Sequence, residues 1–137
     1  MAAFDFLGQH LHSLDSKKRV AIPAKFRQQL PEGPVYVTAL SEGCLAVYPQ
    51  SEWDDLVRQS LERLDPLSRN GRRTKRGLSS SAEQSIPDKQ GRITISGKHL
   101  QQAGIGKEVV FVGAINCFEI WSKERWEAEE ALAGDDD

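Results

Sequence analysis

The sequence predicts an α+β protein built as one body from two related halves, and two observations carry that reading. Shifting the chain against itself by 73 residues, the separation of Asp15 and Asp88, aligns Arg19 with Arg92, Ile22 with Ile95, Lys25 with Lys98 and Gln28-Gln29 with Gln101-Gln102. The register continues without a gap through Gly33/Gly106, Cys44/Cys117, Val47/Ile120 and Tyr48/Trp121 to Trp53/Trp126. A repeat unit of this kind cannot bury its apolar face alone, so two copies imply one folded body. Within each copy, short alternating or β-branched runs stand beside short stretches with helical spacing, so strands and helices are mixed along the chain.

Gln9 to Leu14 alternates polar and apolar residues, the period of a half-buried strand. Asp15-Ser16-Lys17-Lys18 is a polar turn, Arg19 to Ile22 a second strand, and Pro23 suits the first turn of a helix from Ala24 to Leu30 that Pro31 stops. Val35–Thr38 and Leu45–Tyr48 are strands joined by the turn Ser41-Glu42-Gly43. Ser51 to Asp54 has the form of a capping box for a helix to Leu64, with Trp53, Leu56, Val57, Leu61 and Leu64 on one stripe. Asp65 to Ser81, polar and basic with two glycines and four serines, reads as a linker. The second copy follows: a strand into Ile86, a turn at Asp88–Gly91, a strand Arg92–Ile95, and a short helix capped by Ser96 and ended at Ala103-Gly104. Two further strands, Lys107–Gly113 and Cys117–Trp121, precede an amphipathic helix from Ser122 to Leu132 that frays at Gly134 and the three aspartates.

A chain of 137 residues with 39% apolar and 28% charged residues has the balance of a single soluble domain with a real core. No apolar run approaches the ~20 residues of a membrane helix, and the start lacks a signal-peptide pattern, so a cytoplasmic location is expected. The two cysteines, Cys44 and Cys117, form no C-x-x-C pair and read as buried free thiols. The net charge is −2, yet it is unevenly spread. From Glu119 onward eight acids face only Lys123 and Arg125, leaving −6 there and +4 over residues 1–118. The body is basic enough to meet a polyanion.

Enzyme chemistry has no residue set to stand on: there is no Gly-rich phosphate loop, and the serines near 80 have no His/Asp arrangement. His10-x-His12 lacks a third metal ligand, so neither metal nor cofactor is expected. In the turns, Asp15–Arg19 and Asp88–Arg92 read as mixed sites: the aspartates shape the loops, while Lys17, Lys18, Arg19, Lys89 and Arg92 approach nucleic acid. The bland alternative is an ion pair that simply closes each turn. Arg72, Arg73 and Arg76, with Arg69 and Lys75, form either a phosphate-binding strip or a solvated connection. Trp53 and Trp126 read as buried core or subunit-interface anchors rather than base-stacking platforms.

Two Asp-x-x-x-Arg turns, each followed by a β-branched strand and a Lys/Gln-bearing helix, resemble the MraZ family of bacterial transcriptional regulators. The resemblance extends over Phe6-Leu7-Gly8, Leu14 to Arg19, Pro23 to Arg27, Leu45 to Pro49, Arg72-Arg73 with Arg76 and Ala82, Asp88 to Ile95, and Glu119-Ile120-Trp121 with Trp126. Lys18 stands where the family commonly has glycine, Ser96 where it has proline, and Gly71 and Gly77 in what is a helix in the family. The resemblance implies a double swapped-hairpin β-barrel from two tandem SpoVT/AbrB-like units with flanking helices. Residues 1–64 would be the first unit, 65–81 a basic connecting segment, and 82–137 the second unit with its acidic tail. It also implies a ring-shaped homo-oligomer on double-stranded promoter DNA, nucleoid-associated, which represses its own division and cell-wall operon by occupying short direct repeats. A swapped-hairpin antitoxin, its acidic tail masking a basic toxin, is the alternative.

Overall fold

The computed structural model describes residues 3–135. Each half runs strand, strand, helix, strand, strand, helix. In the first, β1 is Gln9–Ser13, β2 Arg19–Ala21, α1 Ala24–Arg27, β3 Val35–Ala39, β4 Leu45–Pro49 and α2 Gln50–Glu62. Helix α3, Arg69–Ser80, joins it to the second half: β5 Ala82–Ser85, β6 Arg92–Thr94, α4 Gly97–Gln102, β7 Glu108–Gly113, β8 Phe118–Ser122 and α5 Lys123–Asp135.

The halves exchange strands. A six-stranded sheet has the order β1-β7-β8-β4-β3-β5, and β2 pairs with β6 in a separate two-stranded ribbon. All pairs are antiparallel. Read from either end, the large sheet presents equivalent strands of opposite halves in the same order, a pseudo-twofold arrangement that follows from the repeat. β1 lies on β7 while its counterpart β5 lies on β3, so each half completes the other's sheet.

Between the sheet and the ribbon sits one apolar cluster to which both halves contribute. Phe118 is its hub, with ring centroids 5.2 Å from Phe6, 5.0 Å from Phe26 and 5.9 Å from Phe111. Val20 and Ile93 enter from the ribbon. Such aromatic pairs add about 0.5–1.5 kcal/mol each beyond simple burial. The second-half position equivalent to Phe26 is His99, also buried. Its Nε2 lies 2.8 Å from the Ser81 carbonyl and ties α4 to the end of α3.

Several local expectations change. The segment expected to be a linker is the helix α3. Its start is held by the Asp65 carboxylate accepting from Leu67 N–H and by Ser68 Oγ accepting from Gly71 N–H at 2.9 Å. Gly71 is required there, because a Cβ would run into the Asp65 carbonyl. Helix α1 is regular only to Arg27; Gln29 and Leu30 donate three residues back, tightening the last turn before Pro31. α2 begins at Gln50 after Pro49 with no side-chain cap, so the Ser51 capping box does not form. No residue of α2 is buried. α5 passes through Gly134 to Asp135 instead of fraying there, and its apolar residues do not gather on one face, with Leu132 exposed. Asp136 and Asp137 lie outside the described residues. Ser122 Oγ caps α5 by accepting from Arg125 N–H.

Trp53 and Trp126 are half-buried rather than core. Trp53 stacks on Tyr36 at 5.2 Å, and Trp126 leans on Trp121 at 5.4 Å while its Nε1 donates to Gln9. Cys44 and Cys117 are buried free thiols. Among the described residues, no helix is long and apolar enough to cross a membrane.

Candidate nucleic-acid interface

The two repeated turns are built to the same plan. Asp15 N–H donates to the Arg19 carbonyl at 2.8 Å, and Lys18 N–H to the Asp15 carbonyl at 3.2 Å. Asp15 Oδ1 accepts from the backbone N–H groups of Lys17 and Arg19, and Oδ2 from Arg19 Nε at 2.8 Å. In the second turn Asp88 N–H donates to the Arg92 carbonyl, and Gly91 N–H to Asp88, both at 2.9 Å. Asp88 Oδ1 accepts from Gln90 and Arg92 N–H, and Oδ2 from Arg92 Nε at 2.8 Å. These bonds stabilise the ionised carboxylates. The Arg19 backbone N–H, with smaller help from Lys17 and the Arg19 side chain, holds the Asp15 carboxyl below its ordinary value. The Arg92 backbone N–H does the same for Asp88, aided by the Arg92 side chain and Gln90.

Each turn needs one residue at positive φ. In the second it is Gly91 at 76°, and in the first it is Lys18 at 65°. The lysine therefore keeps the loop conformation that glycine would supply, at the steric cost of a left-handed L residue.

Strands β2 and β6 then place the arginines. Arg19 pairs with Thr94, Val20 with Ile93 and Ala21 with Arg92. Because side chains alternate across a strand, Val20 and Ile93 point into the core and Arg19, Ala21, Arg92 and Thr94 share the outer face. The turns lock this ribbon from both ends: Ile22 N–H donates to the Gly91 carbonyl at 2.9 Å, and Ile95 N–H to the Lys18 carbonyl at 3.0 Å. The two arginine side chains are equally presented, 29% and 30% exposed, and Arg92 reaches to 4.0 Å from the Asp15 carboxylate. With Nε spent on aspartate, the outer edge of each guanidinium remains available as a donor fork. Lys17, Lys18 and Lys89 are exposed around it.

The model of the family described as "MraZ protein, putative antitoxin-like" matches residues 6–74 and 78–134. The chain belongs to the MraZ family. Two relatives, both named transcriptional regulator MraZ, come from Lachnoclostridium phytofermentans and Pediococcus pentosaceus. The first is 45% identical over 123 residues, covering 90% of this chain and 85% of the relative. The second is 48% identical over 122 residues, covering 89% and 84%. A third of the same name, from Ligilactobacillus salivarius, is 41% identical across 96% of this chain and 92% of its own length. That name describes a regulator and not an enzyme.

For this MraZ-family chain the structure adds one residue that sequence reasoning missed. Arg27, on α1 of the first half, donates from Nη1 to the Gln90 carbonyl at 2.7 Å and packs where a Cβ on Gly91 would stand. Nothing local to Arg27 signals this, since the contact spans the two halves. Arg72, Arg73 and Arg76 lie on α3, exposed and outside the ribbon, with Arg72 Nη1 donating to the Leu67 carbonyl at 2.8 Å. Among the described residues one group has metal-ligand types: Glu42, Cys44 and Glu119, with donor atoms within 4.8 Å of one another. Burial, followed by the nearby carboxylates, pushes the Cys44 thiol up to about 12, the reverse of what a thiolate ligand requires.

Proposed function

We propose that this protein is a sequence-specific DNA-binding transcriptional regulator that represses its own division and cell-wall operon by occupying short direct repeats in the promoter. The observation that carries the reading is the β2–β6 ribbon, whose outer face holds Arg19 and Arg92 between two aspartate-locked turns. A major groove about 12 Å wide admits a two-stranded ribbon, and arginine recognises guanine O6 and N7 bidentately. In this reading Arg19 and Arg92 meet base edges, Lys17, Lys18 and Lys89 meet phosphates, and Asp15 and Asp88 hold the forks in place. Preorganisation by aspartate limits the side-chain entropy lost on binding. The first turn, with Lys17 and Lys18 beside Arg19, is the principal reader.

A ribbon of three residue pairs offers little area, so affinity comes from several copies in a ring-shaped homo-oligomer engaging successive repeats at high effective concentration. An antitoxin whose acidic tail wraps a toxin fits less well, because the acid-rich segment is helical to Asp135 and packs on the sheet through Trp126 and Trp121. Footprinting the purified protein on the DNA upstream of its own gene tests the proposal. Protection of short, regularly spaced repeats is expected; equal affinity for that DNA and a scrambled duplex contradicts it.

A further inference from the structure

The pseudo-twofold body is decorated asymmetrically. Helix α3 carries Arg69, Arg72, Arg73, Lys75 and Arg76 and no acid. At 100° per residue, Arg69, Arg72, Arg73 and Arg76 form one outward stripe opposite Gly71 and Leu78, which turn inward. Among the described residues none of these cations has a carboxylate within ion-pair distance. Beside the stripe, at the foot of α3, Leu67 is 86% exposed.

Helix α5 is the complement. Its two cations already have partners, Lys123 facing Glu108 at 3.9 Å and Arg125 donating to the Gly43 and Gln102 carbonyls. Glu124, Glu127, Glu129 and Glu130 are left without cationic partners among the described residues. Between α5 and β1 runs a groove with an apolar floor of Leu11, Val110 and Trp126, rimmed by Glu127 and Glu130 together with Lys123, whose charge Glu108 offsets. Leu11 is 58% exposed there.

These two surfaces cannot meet within one molecule. α5 is tied to β1 by Trp126 and Glu130 on Gln9, whereas α3 leads through Ser81 directly into β5. β1 and β5 are the opposite edges of the six-stranded sheet, five strand spacings or about 24 Å apart measured along it at the usual ~4.8 Å. We infer that α3 of one copy docks in the β1/α5 groove of the next, with Leu67 on the apolar floor and the arginine stripe against Glu127 and Glu130. A stripe serving phosphates alone would gain nothing from an exposed leucine beside it. A contact between two different patches is heterologous, and repetition of such a contact generates a closed ring or a filament. The inference rests on the assembly proposed above and assigns the faces that build it.

Light scattering on the full chain at low and high salt tests it with two charge-reversed variants, Arg73→Glu/Arg76→Glu and Glu127→Lys/Glu130→Lys. The parent should be a multimer that loses mass as salt rises. Each variant alone should fall to the 15.3 kDa single chain, because its reversed patch faces a like-charged one. Mixing the two variants should restore the multimer, since each then offers the patch the other needs; a misfolded variant would not recover. Parent and variants all assembling would overturn the docking while leaving the ring. A monomeric parent would overturn both. An α3 variant that keeps its assembly but binds every DNA sequence more weakly would make the stripe a phosphate contact and overturn the docking.

Discussion

The two turns share a hydrogen-bond pattern but not their surroundings. Both use an aspartate to fix the backbone and hold an arginine through Nε, with the same 2.8 Å contact. The first meets its positive-φ requirement with Lys18, which spends conformational energy to add an exposed cation. The second meets it with Gly91, and the space left by the absent side chain is filled by Arg27 from the other half. Geometry is thus held in common while charge is set separately, by residues within the turn in one case and across the pseudo-twofold in the other.

The largest effect that distinguishes them is on stability. Gly91→Ala places a side chain at φ 76° and against Arg27, so it should cost about 1–3 kcal/mol in thermal or urea unfolding. The mirror change, Lys18→Gly, relieves strain at φ 65° and should stabilise by up to about 1 kcal/mol, partly offset by a freer unfolded chain. If both substitutions destabilise alike, the turns do not share a conformation. Lys18→Ala should weaken binding to all DNA sequences and reduce the slope of log K against log salt by about 0.9, one phosphate contact. A selective loss on cognate DNA would instead make Lys18 a base reader.

The smallest expected effect is a null one. Asp15 and Asp88 are both more acidic than their ordinary value of 3.8, so their support for the turns is present above that pH. It is lost only as pH falls through the lower folded values. DNA affinity should therefore show no titration from these carboxylates between pH 5 and 8, measured on a variant series that includes Asp15→Asn and Asp88→Asn.

Much of this was legible in the chain because it is local. The spacing of Asp15 to Arg19 and Asp88 to Arg92 marks the turns, and the 73-residue repeat marks the equivalence of the halves. What was not legible depends on contacts that residue spacing does not show. α3 reads as a linker because its glycines and serines are poor helix formers; Gly71 is there for the close approach of Asp65, which no periodicity shows. Trp53 and Trp126 have the spacing of a core stripe but rest on the outer side of the sheet, against Tyr36 and Trp121. Gly77 meets nothing within 4 Å, so Gly77→Ala should strengthen α3 by up to about 1 kcal/mol, whereas Gly71→Ala should disrupt its start.

The claim that the ribbon's outer face reads DNA, with the first turn leading, is tested most directly by titrating Arg19→Ala and Arg92→Ala against cognate and scrambled duplexes at two salt concentrations. Arg19→Ala should lose about 1–3 kcal/mol of discrimination for each guanine edge it meets, and Arg92→Ala should lose less. An Arg92→Ala defect larger than that of Arg19→Ala, or full sequence preference in both variants, would contradict the account.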